Sequence, residues 1–293
     1  MAPPFAKAAI LGIGLIGSSL ARLFRKEGLA GRIVTFDSNP LHRQRALELG
    51  IVDDAPGDLA EAVRNADLVV VAVPIGAYAA LAEAMGPHLA PGAIVTDVGS
   101  VKGTAIRDLA PHIPEGVHLV PGHPIAGTEF SGPEAGFAEL FEGRWCILTP
   151  PESADEAAVA AISALWTKAG SMIEIMDPAT HDRVLAITSH LPHLIAYTIV
   201  GTATDLEGAM QQNVVKFSAS GFRDFTRIAA SDPVMWRDIF LNNQEAVLEV
   251  IQRFTEDLTA LQRAIRWGEG DKLLDLFSRT RAIRRSIIDA KQA

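Results

Sequence analysis

A chain of 293 residues is long enough for two domains of ordinary size, and 48% hydrophobic with 21% charged residues is the makeup of a globular protein in water. Acidic residues outnumber basic ones, 35 to 26, and the net charge of −9 excludes the basic footprint that non-specific nucleic-acid binding requires. One cysteine, Cys146, excludes an intrachain disulfide framework and favours a reducing compartment. No signal-peptide pattern and no apolar run of bilayer length is seen, so a cytoplasmic location without membrane contact is expected.

Residues 8–11 read as a buried strand, and Gly12-Ile13-Gly14-Leu15-Ile16-Gly17 follows at once, ahead of an apolar helix over residues 18–27. This is G-x-G-x-x-G in a strand-turn-helix setting. The first glycine makes the tight turn, the second lets a pyrophosphate approach the backbone, and the third lets the helix pack on the strand. The free N–H groups at the helix start favour phosphate. The next strand, residues 32–36, ends in Asp37, twenty residues after Gly17. An acid there holds the ribose hydroxyls and repels a 2′-phosphate, which reads as NAD over NADP. Arg43 and Arg45 downstream are able to bind a phosphate, and Asp37 has the plainer reading of a cap or turn residue.

The alternation continues with short helices closing at residues 46–50 and spanning 58–65, then an apolar β-branched strand at 67–73 of the central parallel kind. Val73 and Pro74 end it where a loop can cover the cofactor. A helix over 77–85 and a strand over 93–96 lead into Asp97-Val98-Gly99-Ser100-Val101-Lys102, so Ser100 is a polar group at a strand's carboxyl end, or a helix cap. Residues 117–120 read as the next strand and put His123, in Gly122-His123-Pro124-Ile125-Ala126-Gly127-Thr128-Glu129, in the loop leaving it. That edge is where ligands bind in an open parallel sheet. A histidine there is more often structural than catalytic, so its meaning depends on its company. Strands at 145–149 and 171–176, joined by a helix over 154–169, complete a doubly wound, Rossmann-type α/β domain over residues 1–177.

Residues 178–293 read as a helical domain. Asp177-Pro178 is an N-cap with proline at the first helical position, and Val184, Ile187, Leu191, Ile195 and Ile199 recur at helical spacing. Pro192 removes a helical hydrogen bond and is expected to kink the helix. His190 and His193, three apart, have a spacing that suits a metal. With no third ligand cluster nearby, contact with a substrate or a polar seam is the better reading, and no metal is expected. The phenylalanines of Gly221-Phe222-Arg223-Asp224-Phe225-Thr226-Arg227 argue for a packed segment over a solvated linker. Asp232-Pro233 opens a helix in which Val247, Ile251, Phe254, Leu258, Leu261 and Ile265 form a heptad seam, followed by a last helix with Leu276, Ile283 and Ile287. The seam is expected to bury against a second subunit, an intrachain bundle being the alternative.

Taken together, these motifs resemble the prephenate/arogenate dehydrogenases of tyrosine biosynthesis. The markers are the glycine loop, Asp97 to Lys102, Gly122 to Glu129, Thr188-Ser189-His190-Leu191-Pro192-His193, and Phe222 to Arg227 followed by Ser231-Asp232-Pro233. The resemblance covers nearly the whole chain and implies NAD-dependent oxidative decarboxylation of a cyclohexadienyl substrate, prephenate or arogenate. It implies that His123 is the catalytic histidine and Ser100 its partner on the substrate hydroxyl. Arg227 would grip the ring carboxylate, with Asp224 and Glu129 positioning it. His193, Thr128, Arg223 and Trp236 would surround the substrate side chain, the last two reaching in from the partner of a homodimer. A histidine base and a bidentate arginine suit that chemistry on physical grounds. The rival readings are a β-hydroxyacid dehydrogenase or imine reductase of similar build, which would lack this histidine and arginine, and a dinucleotide-sensing protein without turnover.

Overall fold

Residues 2–204, 216 and 219–289 are described by a computed structural model. Its centre follows from strands that are apolar on both faces. In β1 (Phe5–Leu11) the run from Ala8 to Leu11 is wholly buried, as is every residue of β3 (Leu68–Val71). Such strands are stable only inside a sheet covered on both sides. β2 (Ala30–Phe36) and β3 pair parallel with the two edges of β1, and β4 (Ile94–Asp97) and β5 (His118–Leu119) extend the sheet to the order β2-β1-β3-β4-β5.

Alternation along the strands feeds two cores. Ile10, Leu68 and Val70 pack with residues of α1 (Leu15–Glu27). Leu11, Val69 and Val71 pack with α3 (Leu59–Val63), α4 (Tyr78–Met85) and α5 (Lys102–Leu109). Asn39 caps α2 (Pro40–Glu48), and Asp58 caps α3. Chain order reverses between β1 and β3, which opens a crevice at their carboxyl ends.

A second sheet, not foreseen from the alternation, holds His123. β6 (Gly122–Pro124) pairs antiparallel with β7 (Trp145–Leu148), which pairs parallel with β8 (Met172–Ile175) after helix α6 (Glu156–Lys168). Pro121 follows β5 closely, and the chain turns into this second sheet with His123 opposite Ile147. His123 thus sits in a strand, where a loop was expected.

The helical part begins with α7 (Pro178–Leu185), capped by Asp177, and runs through a π-helical turn (Ala186–His190) into α8 (Leu191–Thr204). The expected disturbance at Pro192 takes the form of this wide turn, in which the Leu191 N–H donates to the Ala186 carbonyl. The extra residue rotates the register. The inward face carries His181, Asp182, Leu185, Ala186, His190 and Ala196, and none of the expected stripe is fully buried: Val184 and Ile187 are 40% and 58% exposed. By length and composition Pro178–Thr204 is apolar enough to cross a bilayer, which corrects the expectation of no such run. α9 (Ser220–Thr226) and α10 (Pro233–Asn242), the latter capped by Asp232, follow. The segment around Phe222 is therefore helical.

The chain divides into compact units Met1–Gln244 and Glu245–Ala293. The second is made of α11 (Gln244–Arg266) and α12 (Gly270–Asp289). Of its heptad seam Val247 is buried, Ile251, Phe254 and Leu261 are half-buried, and Leu258 and Ile265 are exposed. The side chain of Ile287 lies outside the described residues.

The two sheets meet at an ion pair that water does not reach. Lys102 Nζ donates to Asp97 Oδ2 at the end of β4 and, at 2.7 Å, to the Gly122 carbonyl at the start of β6. Asp97 also accepts from Tyr78 Oη at 2.9 Å and from the Gly122 N–H at 3.2 Å. Burial pulls the Lys102 amine below its ordinary value, and the Asp97 charge pulls it back up. Lys102→Met leaves Asp97 without its counter-charge and is expected to cost roughly 3–5 kcal/mol of stability. Urea unfolding measures it, and a loss under about 1 kcal/mol would reduce the pair to an incidental contact.

Candidate active site

The glycine loop has the geometry of a phosphate cradle. Gly12 has φ +96°, and a Cβ there would stand 2.5 Å from the Ala72 carbonyl oxygen. A Cβ on Gly17 would collide with the Gly12 carbonyl oxygen. At Gly14 a Cβ would meet nothing within 4 Å, so the space over this glycine is open. Gly14 is also the cap residue of α1 and gives no side-chain bond to the first N–H groups of the helix, which stay available for an anion. Leu15 and Ile16 are half-buried beside it, half-buried Val73 packs against Gly12, and Pro74 is exposed next to it in the chain.

Asp37 stands at the end of β2 with its carboxylate turned to the loop, accepting from Ile13 N at 3.0 Å and Asn39 N at 2.9 Å. Both nearby arginines are engaged. Arg43 donates to the Asp37 carbonyl at 2.6 Å, and Arg45 to Glu134 at 2.7 Å and Glu48 at 3.1 Å. The open Gly14, the uncapped helix start and the carboxylate one strand away fit a dinucleotide whose ribose hydroxyls donate to Asp37.

His123 lies 8% exposed, with Nδ1 2.9 Å from His181 Nε2. His181 Nδ1 lies 2.7 Å from Asp182 Oδ1. The two carboxylate oxygens of Asp182 accept from the N–H groups of Lys102 and Gly103, at 2.7 and 2.8 Å, so α7 caps the start of α5. Burial, with the positive Lys102 nearby, holds His123 well below 6.5, so the ring is neutral at ordinary pH. Ser100 is half-buried before α5, and the cap position belongs to Val101, which excludes the capping role open to Ser100 from sequence.

On the other side of the site, His193 donates through Nδ1 to the Ser189 carbonyl at 2.9 Å and stacks on Trp236, with centroids 3.6 Å apart at 23°. Burial, with the Arg227 charge nearby, lowers His193. Trp236 is 6% exposed, its indole packed between His193 and Phe240 of the same chain. His190 is turned inward, with Nδ1 3.1 Å from Asn243 Nδ2, and burial pushes it down to about 4. His190 and His193 thus have separate partners, and no group of three or more metal-ligating side chains gathers among the described residues.

Arg227 is 62% exposed and meets Glu129 at 3.7 Å, an open pair of small intrinsic worth. Asp224 and Arg223 are exposed on α9, where the helix leaves Asp224 outside the Arg227–Glu129 pair. Thr128 is exposed, its hydroxyl accepting from Phe130 N at 3.3 Å. Sequence reasoning missed His181, Asp182 and Asn243. A polar Thr-His-Asp after a helix-starting proline looks solvated, and Asn243 carries no motif at all.

The family models for the prephenate dehydrogenase nucleotide-binding domain and for its dimerization domain match residues 20–175 and 177–279. The chain is 42% identical to the cyclohexadienyl dehydrogenase of Zymomonas mobilis, over 96% of this chain and 95% of that one. The crystal structure of prephenate dehydrogenase from A. aeolicus, in complex with hydroxyphenyl propionate and NAD+, is similar at a TM-score of 0.89 and 35% identity, covering 96% and 98% of the two chains. Synechocystis arogenate dehydrogenase is similar at 0.80 and 29%, covering 96% and 99%.

The glycine loop makes a prediction of its own. Gly14→Ala should leave thermal stability near wild type, because the added methyl enters open space, while NAD+ binding weakens by about tenfold or more, since a blocked phosphate contact costs at least about 1.4 kcal/mol. Calorimetric titration against a thermal melt checks it, and an unchanged Kd would remove Gly14 from the cofactor site.

Proposed function

Since the chain belongs to the prephenate dehydrogenase family, we propose that it carries out the NAD-dependent oxidative decarboxylation of prephenate, arogenate or both in tyrosine biosynthesis. The observation that carries this reading is His123, buried and neutral beside the cofactor crevice, with an open arginine at the other side of the site. The glycine loop and Asp37 would hold NAD+, which would supply the hydride acceptor for the hydroxyl-bearing ring carbon. His123 takes the hydroxyl proton, and Ser100 holds that hydroxyl in place. Arg227 grips the ring carboxylate until it departs as CO2, and Glu129 keeps the guanidinium turned to the site. Thr128, His193, Arg223 and Trp236 surround the substrate side chain, which is keto in one substrate and amino in the other.

Four finer readings belong with this one. Asp37 favours NAD over NADP, supported by its placement against the glycine loop and by Arg45 being paired with Glu134 and Glu48. The protein is a homodimer, supported by the dimerization-domain match and by exposed apolar residues such as Ile187 and Ile265. The catalytic division of the chain falls at 177/178, between cofactor and substrate domains, supported by the limits of the two family matches. A reducing, cytoplasmic location is supported by a lone free cysteine, itself buried.

Absorbance at 340 nm with NAD+ tests the central reading. Turnover of prephenate or arogenate is expected, slower with NADP+, and inertness toward both substrates would refute it. Because His123 must be unprotonated to act, kcat should fall only on the acid side, with a limb below pH 6.5. His123→Asn should lose about 10²–10⁴-fold in kcat and lack that limb.

Arg227→Ala tests the clamp. A charge-assisted hydrogen bond is worth roughly 1.5–3 kcal/mol, so KM should rise by about 10- to 100-fold with the fold intact. A KM within about threefold of wild type, a difference under 1 kcal/mol, would leave Arg227 a surface residue.

A further inference from the structure

We propose that His181 and Asp182 form a relay that keeps the single proton of the His123 ring on Nδ1, leaving the Nε2 lone pair free to take the substrate's proton. The proposal rests on the reading of His123 as the base, and it makes His181 and Asp182 positioning residues.

Both oxygens of Asp182 face peptide N–H groups, Lys102 at 2.7 Å and Gly103 at 2.8 Å, at the positive end of α5. An ionised carboxylate only accepts, so His181 Nδ1, 2.7 Å away, is the donor of that bond. His181 is fully buried, and burial lowers it from 6.5, so the ring is neutral and carries one N–H. That N–H is already placed on Nδ1, which makes Nε2 the acceptor. His123 Nδ1, 2.9 Å from it, then has to donate. A neutral His123 also has one N–H, and Nε2 remains as a bare acceptor without a partner among the described residues.

The groups around His123 do not undo this order. Lys102 from α5, itself paired with Asp97 of β4, lowers the ring without bonding it, and His190 from the π turn, pushed down to about 4, stays uncharged. The Cys146 thiol on β7 is pushed up by burial and stays uncharged. Asn243 steadies the far side, donating to the Asp182 carbonyl at 2.9 Å. When His123 takes the proton, its Nδ1–H bond to His181 strengthens, and Asp182 steadies the charge in turn. The relay therefore raises the basicity of a ring that burial has lowered.

Two measurements test it. In the wild-type enzyme without substrate, nitrogen-15 NMR of the His123 ring, identified by its loss in His123→Asn, should show a protonated Nδ1 and an unprotonated Nε2. The opposite tautomer would overturn the relay, whatever the activity. In kinetics, His181→Leu removes the acceptor, and kcat should fall on the order of 10²-fold, KM changing by less than about threefold, because the ring is free to hold its proton on Nε2. The acid limb should move to lower pH, since the imidazolium loses its acceptor, a shift that a merely structural role would not produce. His181→Gln retains a carbonyl acceptor and should recover kcat to within about tenfold of wild type. A folded His181→Leu enzyme with wild-type kcat and an unmoved limb would overturn the proposal. The expected tautomer in an enzyme inert toward both substrates would support the relay and count against the proposed reaction instead.

Discussion

A carboxylate and an ammonium placed where water cannot reach them set the geometry of the reaction centre. Taking Asp97 and Lys102 out of solvent is costly, and a buried pair of this kind seldom returns that cost as stability. It returns position. Lys102 has no water to bond, so its donors must go to Asp97 and the Gly122 carbonyl. Those two bonds join the end of the cofactor sheet to the start of the strand that carries His123. The backbone N–H groups beginning at the same lysine are capped by Asp182, which brings α7 to the junction. Four elements thus converge within a few residues, and the histidine between them has little freedom. Polar groups held in place before the reaction need not reorganise during it.

The π turn serves the same junction from the helical side. His181 and His190 are about two and a half turns of an α-helix apart, on opposite faces. One extra residue in the turn brings both rings to the interior, His181 beside His123 and His190 against Asn243. Rotation of the polar residues inward sends Val184 and Ile187 outward. The apolar spacing of this helix therefore marks its outer face, and its polar residues mark the interior. That reverses the usual reading of an amphipathic helix.

Much of the fold was legible because strong local rules governed it. Leu68 to Val71 had to be a central strand, Gly12 to Gly17 had to turn where it does, and Asp177-Pro178 had to start a helix. The glycine loop and Asp37 were legible for the same reason, their spacing being set by one βαβ unit. The second sheet was not legible, because nothing local says that a strand of three residues pairs with one more than twenty residues on. His181 and Asp182 were hidden by position. Two polar residues in the first turn of a helix satisfy every rule for a solvated helix start. Only the approach of α5, far away in sequence, buries them and gives Asp182 two N–H groups to hold.

The contrast between the two sides of the site has a chemical sense. His123, His181, Asp97 and Lys102 are buried and tied by hydrogen bonds, whereas Arg227, Arg223, Asp224 and Thr128 are exposed and loosely held. A proton acceptor must be fixed to within a fraction of an ångström, since its effect is made in the transition state. A carboxylate clamp has a different task, because it must admit a charged group from water and let CO2 leave. A tightly paired, buried arginine would have to lose its own partner before binding. An arginine that is mostly in water, facing one glutamate at 3.7 Å, would, in the proposed clamp, give up little on exchanging that contact for a substrate carboxylate. On the proposed reading, rigidity is concentrated where the proton moves, and openness where the substrate enters.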